Sequence, residues 1–247
     1  MSNYYELEFI QEEIENLLNN DIKKLVIYLD NRQIEVYNEL SQKINQYSLN
    51  HPQTQIALKL TDQVDGDAAV LSEIKADGTI MVLHGTVKRG EKHNHIMLNY
   101  DAVYEYHKQT ESVFTMVLGD IKHSDPTICT TDPEKLPEEE SYGTALLEGR
   151  YVKDFKKRKP KNETEYSFAD IGVSLFESEV LALIQETIKK PGFQYLSFTK
   201  LPEKNLAVEK AEEPIIKQLL DTKRKVAGYS FSGKWFHFRR YKKRIIL

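Results

Sequence analysis

The sequence predicts an α+β fold in which helices flank a central mixed β-sheet. Apolar residues recur at helical spacing near the N-terminus, and they alternate with polar residues at strand spacing in the middle of the chain. Helical spacing returns after position 174. With 247 residues, of which 40% are hydrophobic, the chain can bury a substantial core, and we expect a single domain over 1–247.

The first 50 residues are predicted to form a helical layer. Apolar side chains three and four positions apart predict one helix over 5–29 and a second over 32–47. The step His51-Pro52 ends the second helix, because the residue before proline avoids the helical conformation.

The predicted sheet comes from the middle of the chain. Strict alternation over 55–60 indicates a half-buried strand. Segments 70–74 and 79–84 resemble a hairpin, although 68–75 also fits a short helix. Two further strands are expected near 95–100 and 112–118.

The second half is predicted to be more helical. Residues 122–141 are polar and contain three prolines, so we expect an exposed loop there. A helix is expected over 142–155, a strand or loop leading into a helix over 167–190, a short helix over 214–220, and a terminal strand or hairpin over 229–240.

Composition limits the cellular setting. No run of apolar residues is long enough for a transmembrane helix, so we expect a soluble protein. Cys129 is the single cysteine, which excludes an intramolecular disulfide and a cysteine-based zinc site and favours a reducing compartment.

The segment 222–247 is strongly basic. It contains nine Lys or Arg and no Asp or Glu, which predicts an anionic partner. Nucleic acid would satisfy the same electrostatics as a polyphosphate. The candidate residues are Lys223, Arg224, Lys225, Arg239, Arg240, Lys242, Lys243 and Arg244.

A histidine and an acid suggest part of a catalytic device. His95 begins one apolar run and Asp120 ends the next, so paired strands would bring a base and its orienting acid together. Ser178 is the candidate nucleophile, because it precedes an apolar helix whose unpaired N–H groups would favour negative charge. An ordinary helix-capping role explains the same serine.

Two other motifs suggest different chemistry. Lys75-Ala76-Asp77-Gly78 fits the KxDG string of ligase-like nucleotidyltransferases, in which the lysine attacks a nucleotide phosphate. An Asp-Gly hairpin turn explains the same residues. Asp65, Asp67, Glu73 and Lys75 could form a nuclease-like metal site with a Glu-x-Lys tail. A solvated loop followed by a hairpin explains the same residues, and we predict no metal site.

The order of these features resembles the YopJ-like serine/threonine acetyltransferases, bacterial effectors related in fold to the cysteine proteases of the ubiquitin-like-protein protease clan. The resemblance extends over much of 10–188. It is carried by Asn45-Gln46-Tyr47, His51-Pro52, the segments ending at His95 and Asp120, Gly143-Thr144-Ala145-Leu146-Leu147, Arg150, Asp170-Ile171 and Glu177-Ser178.

The resemblance implies acetyl transfer from acetyl-CoA to a host protein, by an effector secreted into the host cytoplasm. His95, Asp120 and Ser178 would then be catalytic, with Ser178 replacing the family's cysteine. Glu111 would be the second choice for the acid. Because serine is the weaker nucleophile, an inactive relative that binds its partner is the alternative. Inositol hexakisphosphate would bind the basic segment.

Overall fold

The structure, a computed structural model, describes residues 2–20, 22–61, 68–76, 78–83, 87–89, 98–120, 143–157, 167–191, 196–198, 214–233 and 235–237. These residues form two compact units, Met1–Val64 and Asp65–Leu247.

The first unit contains a βαβ arrangement preceded by a helix. Helix α1 (Ser2–Leu18) is followed by strand β1 (Lys24–Asp30), helix α2 (Ile34–Asn50) and strand β2 (Gln55–Thr61). The strands are parallel and pair from Lys24 opposite Gln55 onward. Parallel neighbours need such a crossover, and here α2 supplies it. Leu18 of α1, Leu29 of β1 and Leu40 of α2 pack in one hydrophobic core.

The predicted helix over 5–29 is therefore wrong in its second half. The helix ends at Leu18, and the run Leu25–Leu29 is buried or half-buried within β1. A short continuous apolar run fits a strand of a parallel sheet as well as it fits a helix. The segment before β2 is linked to the segment before β1, because the Thr54 hydroxyl donates a hydrogen bond to the Ile22 carbonyl oxygen over 2.7 Å.

The second unit is built on a mixed six-stranded sheet. Its strands are β3 (Ile80–Leu83), β5 (Phe114–Asp120), β6 (Gly143–Glu148), β7 (Tyr151–Lys157), β8 (Phe168–Phe176) and β9 (Val226–Phe231). Their order is β3-β8-β5-β9-β7-β6. A separate antiparallel pair joins β4 (Val87–Arg89) to β10 (Trp235–His237).

In the described part of this unit, three helices and a 3₁₀ turn accompany the sheet. They are the turn Ala69–Glu73, α3 (Tyr100–Thr110), α4 (Ser178–Thr187) and α5 (Ile215–Asp221). The core between them contains three fully buried phenylalanines, Phe114, Phe176 and Phe198. The helices of the described ranges include none with the length and hydropathy that crossing a bilayer would require.

Strand direction gives the sheet two distinct edges. Strands β5 and β9 are parallel, whereas β8 is antiparallel to both β5 and β3, so β3, β5 and β9 point the same way. We call the side of Leu83, Asp120 and Phe231 the carboxyl edge. The side where these three strands begin is the amino edge.

Three other elements differ from the sequence expectations. The predicted helix over 142–155 is the β6–β7 hairpin, which turns at Gly149 with φ of +62°. The strand expected over 95–100 lies outside the described residues up to 97, and Tyr100 already begins α3, capped by the Asn99 side chain. The expected hairpin of 70–74 with 79–84 is a 3₁₀ turn followed by β3, which pairs with β8.

Replacing Gly228 with alanine should destabilise the second unit by about 1–3 kcal/mol, because this is the usual cost of overpacking. A β-carbon at this position would lie 2.6 Å from Leu147 Cδ2 and 2.8 Å from Leu118 Cδ1. Urea unfolding measures the change. Gly78→Ala is the control, since a β-carbon there has no heavy atom within 4 Å. Equal stabilities for the two variants would contradict the packing described here.

Candidate functional site

The carboxyl edge is where a ligand site is expected. In open α/β sheets, ligands bind beyond the carboxyl ends of the strands, where successive loops surround them. Asp120 is the acidic residue at the end of β5, and its side chain is half-buried. The loops that follow β3 and β5, 84–86 and 121–142, lie outside the described residues.

The structure does not bring Asp120 and Ser178 together. Asp120 pairs with Phe168 at the start of β8, whereas Ser178 follows the other end of β8, where Phe176 pairs with Phe114. Six residues of strand separate these positions, or roughly 20 Å. Ser178 is the first residue of α4. His95 lies outside the described residues.

The other candidate acid and the described basic residues lie at the amino edge. Glu111 ends α3, and Lys225 and Arg224 precede β9. Lys225 Nζ lies 3.6 Å from Glu111 Oε2, and Arg224 Nη1 lies 3.2 Å from Glu179 Oε2. Three candidate residues of the basic segment lie in the described part of the chain, and two of them, Arg224 and Lys225, thus face carboxylates.

The third described cation is Lys223, which is exposed and has φ of +57°. Arg239, Arg240, Lys242, Lys243 and Arg244 lie outside the described residues. Binding of an anion or of nucleic acid by the basic segment therefore stays a prediction.

The KxDG lysine also lies away from the carboxyl edge. Lys75 is exposed in the loop before β3, so it is at the amino edge. The Gln185 side chain donates to the Ile74 carbonyl oxygen over 3.1 Å and ties this loop to α4. Lys75 and Asp120 therefore lie at opposite ends of the sheet.

The proposed acidic metal cluster cannot be placed. Asp65, Asp67 and the Glu73 side chain lie outside the described residues. Within the parts of the chain that are described, no group of three or more His, Cys, Asp or Glu residues is arranged to hold a metal ion.

A buried polar cluster among the described residues is centred on His107. This histidine is 1% exposed, on the face of α3 that packs against the sheet. Its Nδ1 lies 2.7 Å from Thr115 Oγ1 and its Nε2 lies 3.0 Å from Glu177 Oε1. The Thr79 hydroxyl donates to the same carboxylate oxygen over 2.9 Å. The cluster thereby joins α3 and β5 to the residues that precede β3 and α4.

The hydrogen bonds define the tautomer of His107. A carboxylate only accepts hydrogen bonds, so Nε2 donates to Glu177 and Nδ1 accepts from the Thr115 hydroxyl. Burial lowers the pKa of His107 below its ordinary value, while the hydrogen bond and charge of Glu177 act in the opposite direction. The pKa is lowered overall, so the imidazole is neutral at neutral pH.

A second set of contacts fixes α3 on its other side. The Tyr106 hydroxyl donates to the Gly228 carbonyl oxygen over 2.9 Å, and its ring meets that of Tyr229 edge-on at 5.3 Å. Arg150 lies over the Tyr106 ring at 5.9 Å. Burial raises the pKa of Tyr106, so the phenol stays protonated and continues to donate.

Sequence reasoning missed His107 because it did not recognise α3. Tyr100, Val103, His107 and Thr110 are the buried residues of this helix, and they follow a spacing of three and four. The helical period was therefore present in the sequence. Only Tyr100 and Val103 are apolar, so the pattern was weak.

Family comparison identifies the chain. The family described as nucleotidyl transferase matches residues 3–235. The chain belongs to the nucleotidyl transferase family. No curated protein sequence matches it significantly.

Several solved structures have a similar fold. The inositol-1-phosphate CTP transferase from T. maritima is 14% identical with a TM-score of 0.57, and the similarity covers 93% of this chain and 76% of that one. A UDP-glucose pyrophosphorylase complexed with UDP-glucose is also 14% identical, with a TM-score of 0.61 and coverage of 96% and 84%. HddC from Yersinia pseudotuberculosis, complexed with GMP-PN, is 11% identical with a TM-score of 0.52 and coverage of 94% and 82%.

These findings correct the sequence-based expectations. The resemblance to YopJ-like acetyltransferases is wrong, and so is the cysteine-protease-like α+β fold class, because the family and the fold are those of nucleotidyl transferases. The acyltransferase activity and the effector function are wrong for the same reason. Acetyl-CoA and inositol hexakisphosphate are also wrong as cofactors, since the neighbours bind nucleotides or nucleotide sugars.

Proposed function

We propose that the chain transfers a nucleotidyl group from a nucleoside triphosphate to a phosphorylated sugar or polyol. The match of the nucleotidyl transferase family over residues 3–235 carries this proposal. The acceptor class follows the neighbouring structures, whose names include inositol 1-phosphate and UDP-glucose.

The reaction is a substitution at phosphorus. A phosphate oxygen of the acceptor attacks the α-phosphorus of the triphosphate and forms a new P–O bond. The bond between the α-phosphorus and the oxygen that bridges to the β-phosphorus breaks, and pyrophosphate leaves with the electron pair. A protein accelerates such a step chiefly by aligning the two reactants and stabilising charge on the leaving group.

We place the substrates at the carboxyl edge of the six-stranded sheet. Three strands that point the same way, β3, β5 and β9, end there, which is the usual ligand position in such sheets. Asp120 is half-buried at this edge. A carboxylate accepts hydrogen bonds from hydroxyl groups, so we assign Asp120 to binding sugar or polyol hydroxyls.

Pyrophosphate release tests the activity. The purified chain is incubated with each of the four common nucleoside triphosphates and with a panel of sugar 1-phosphates and inositol 1-phosphate. We expect release with at least one combination, together with the matching nucleotide conjugate by mass spectrometry. Absence of both signals across the panel would overturn the enzymatic proposal.

Asp120→Asn tests the position of the site. We expect the KM for the acceptor to rise about tenfold, because one hydrogen bond to a charged group is weakened by about 1.4 kcal/mol. The matched control is Asp221→Asn, the same chemical change at the amino edge. Asp221 contacts Lys217 in an exposed pair that contributes little to stability. If both variants retain the KM of the unaltered chain, the substrates do not contact Asp120.

A further inference from the structure

The β4–β10 ladder joins the continuations of two strands that are not neighbours in the six-stranded sheet. Strand β4 follows β3, and β10 follows β9. In the sheet, β8 and β5 separate β3 from β9 by three strand spacings, or roughly 14 Å. Because β4 and β10 nevertheless pair with each other, the ladder has to pass across β8 and β5. The contact of β4 with β8 agrees with this path.

The direction of the ladder shows that it is not an extension of the sheet. Strands β3 and β9 point the same way, so β4 and β10 would be parallel if each simply continued the strand before it. They are antiparallel. At least one of them therefore turns away from the direction of the sheet strands, and the ladder forms a separate layer beyond the ends of β3 and β9.

The ladder lies close to Asp120. Phe231, the last residue of β9, pairs with Gly119, which precedes Asp120 on β5. Trp235 begins β10 four positions after Phe231, and four residues span at most about 14 Å. The ladder is therefore beside the carboxyl edge, where the substrates are placed.

Each face of the ladder combines a cation with an aromatic residue. Residues directly opposite each other on antiparallel strands share one face. Arg89 pairs with Trp235, and Lys88 pairs with Phe236. Because successive residues of a strand alternate between faces, the Arg89 pair and the Lys88 pair lie on opposite faces. His237 is two positions after Trp235 and shares its face, so the Arg89 face also contains an imidazole.

We propose that the ladder face with Arg89 and Trp235 binds the nucleoside triphosphate of the reaction proposed above, on which this inference rests. A guanidinium group donates two parallel hydrogen bonds to a phosphate group, which the ammonium group of Lys88 does not match. An indole stacks on a nucleobase. Arg89 and Trp235 are opposite each other, with Cα atoms about 4.5–5.5 Å apart, so one nucleotide can reach both.

Calorimetric titration separates the two contacts. The ligands are the four common nucleoside triphosphates and inorganic tripolyphosphate, which has phosphates but no base. We expect the unaltered chain to bind tripolyphosphate and at least one nucleotide. Arg89→Gln should raise both dissociation constants about tenfold, because hydrogen bonds between charged groups are lost. Trp235→Leu should raise the dissociation constant about tenfold for the nucleotide alone, since tripolyphosphate has no base to stack.

The matched controls lie on the same two strands. Lys88→Gln and Phe236→Leu make the corresponding changes on the other face of the ladder, and they should change either dissociation constant by less than about twofold. A purely structural role of the ladder would affect variants of both faces and both ligands alike. Arg89→Lys keeps the charge and should recover part of the lost affinity. An unchanged Tm shows that each variant remains folded.

Three results would overturn the ladder site. They are absence of binding to the unaltered chain, dissociation constants that do not change in Arg89→Gln and Trp235→Leu, and equal losses in the variants of both faces. The titration needs neither an acceptor nor turnover, so it is separate from the pyrophosphate assay. Pyrophosphate release by Arg89→Gln with an unaltered KM for the nucleotide would remove the ladder site and leave the proposed function. Nucleotide binding through Arg89 without pyrophosphate release would do the reverse.

Discussion

Replacing Phe176 with alanine should lower the free energy of unfolding by about 4 kcal/mol, the largest single effect expected for this protein. The Phe176 ring is fully buried between two others, with its centroid 6.0 Å from that of Phe114 and 5.4 Å from that of Phe198. Alanine would remove the shared surface and leave a cavity between β5, β8 and the segment of Phe198. Urea unfolding measures the loss.

Two further variants test whether the loss of stability in Phe176→Ala comes from the cavity in the core. Phe176→Leu fills much of the cavity and should cost less than half as much. Tyr104→Ala removes a ring of similar size that is 40% exposed on α3, and it should change the stability by less than about 1 kcal/mol. Similar losses for Phe176→Ala and Tyr104→Ala would contradict the core described here.

The centre of the sheet could be predicted from the sequence because its strands are almost wholly apolar. Strand β5 was expected over 112–118 and occupies Phe114–Asp120. The segment 167–190 was expected to lead from a short strand or loop into a helix, and it forms β8 and α4. In these segments the local pattern and the tertiary packing favour the same structure.

Where tertiary packing decided the structure, the local pattern failed. Strand β6 contains Ala145, Leu146, Leu147 and Glu148, all strong helix formers, yet it forms a strand beside β7 and β8. Helix propensity differs between residues by only a few tenths of a kcal/mol, so pairing with two neighbours outweighs it. Strand β1 was missed for a related reason, because its parallel partner β2 lies about 30 residues further along the chain.

The candidate site could not be predicted because its geometry depends on strand direction. The sequence analysis combined Asp120 and Ser178 in one catalytic site. The antiparallel pairing of β5 with β8 puts them at opposite edges. The His107 cluster shows the same limit, since Thr79 and Glu177 are 98 positions apart in sequence and meet at one carboxylate oxygen.

Replacing His107 with alanine should cost about 3 kcal/mol at neutral pH. The change removes a side chain that is 99% buried and leaves the buried Thr115 hydroxyl without its hydrogen bond to Nδ1. A cavity and an unpaired polar group each cost about 1–3 kcal/mol, and the surroundings relax in part. Chemical denaturation at pH 7.5 measures the change, with Gln109→Ala on the exposed face of α3 as the control.

The same variant should alter how stability depends on pH. Burial lowers the pKa of His107 in the folded protein below the ordinary value of 6.5, so the unfolded chain takes up this proton first as the pH falls. The contribution of neutral His107 to the free energy of unfolding is therefore fully present above pH 6.5. It declines between that pH and the lower pKa of His107 in the folded state. The slope from this one proton approaches about 1.4 kcal/mol per pH unit.

Comparing the unaltered chain with His107→Ala separates the effect of His107 on the pH dependence of stability from the effects of the other six histidines. The difference in unfolding free energy between the unaltered chain and His107→Ala should be largest above pH 6.5 and should shrink at lower pH. Gln109→Ala should follow the unaltered chain at every pH. A difference that grows on acidification would mean that folding favours the protonated imidazole, and the ion pair with Glu177 would then outweigh the burial of His107. That result would reverse the role of the cluster, because Glu177 would act as a counter-ion rather than as the acceptor for a neutral histidine.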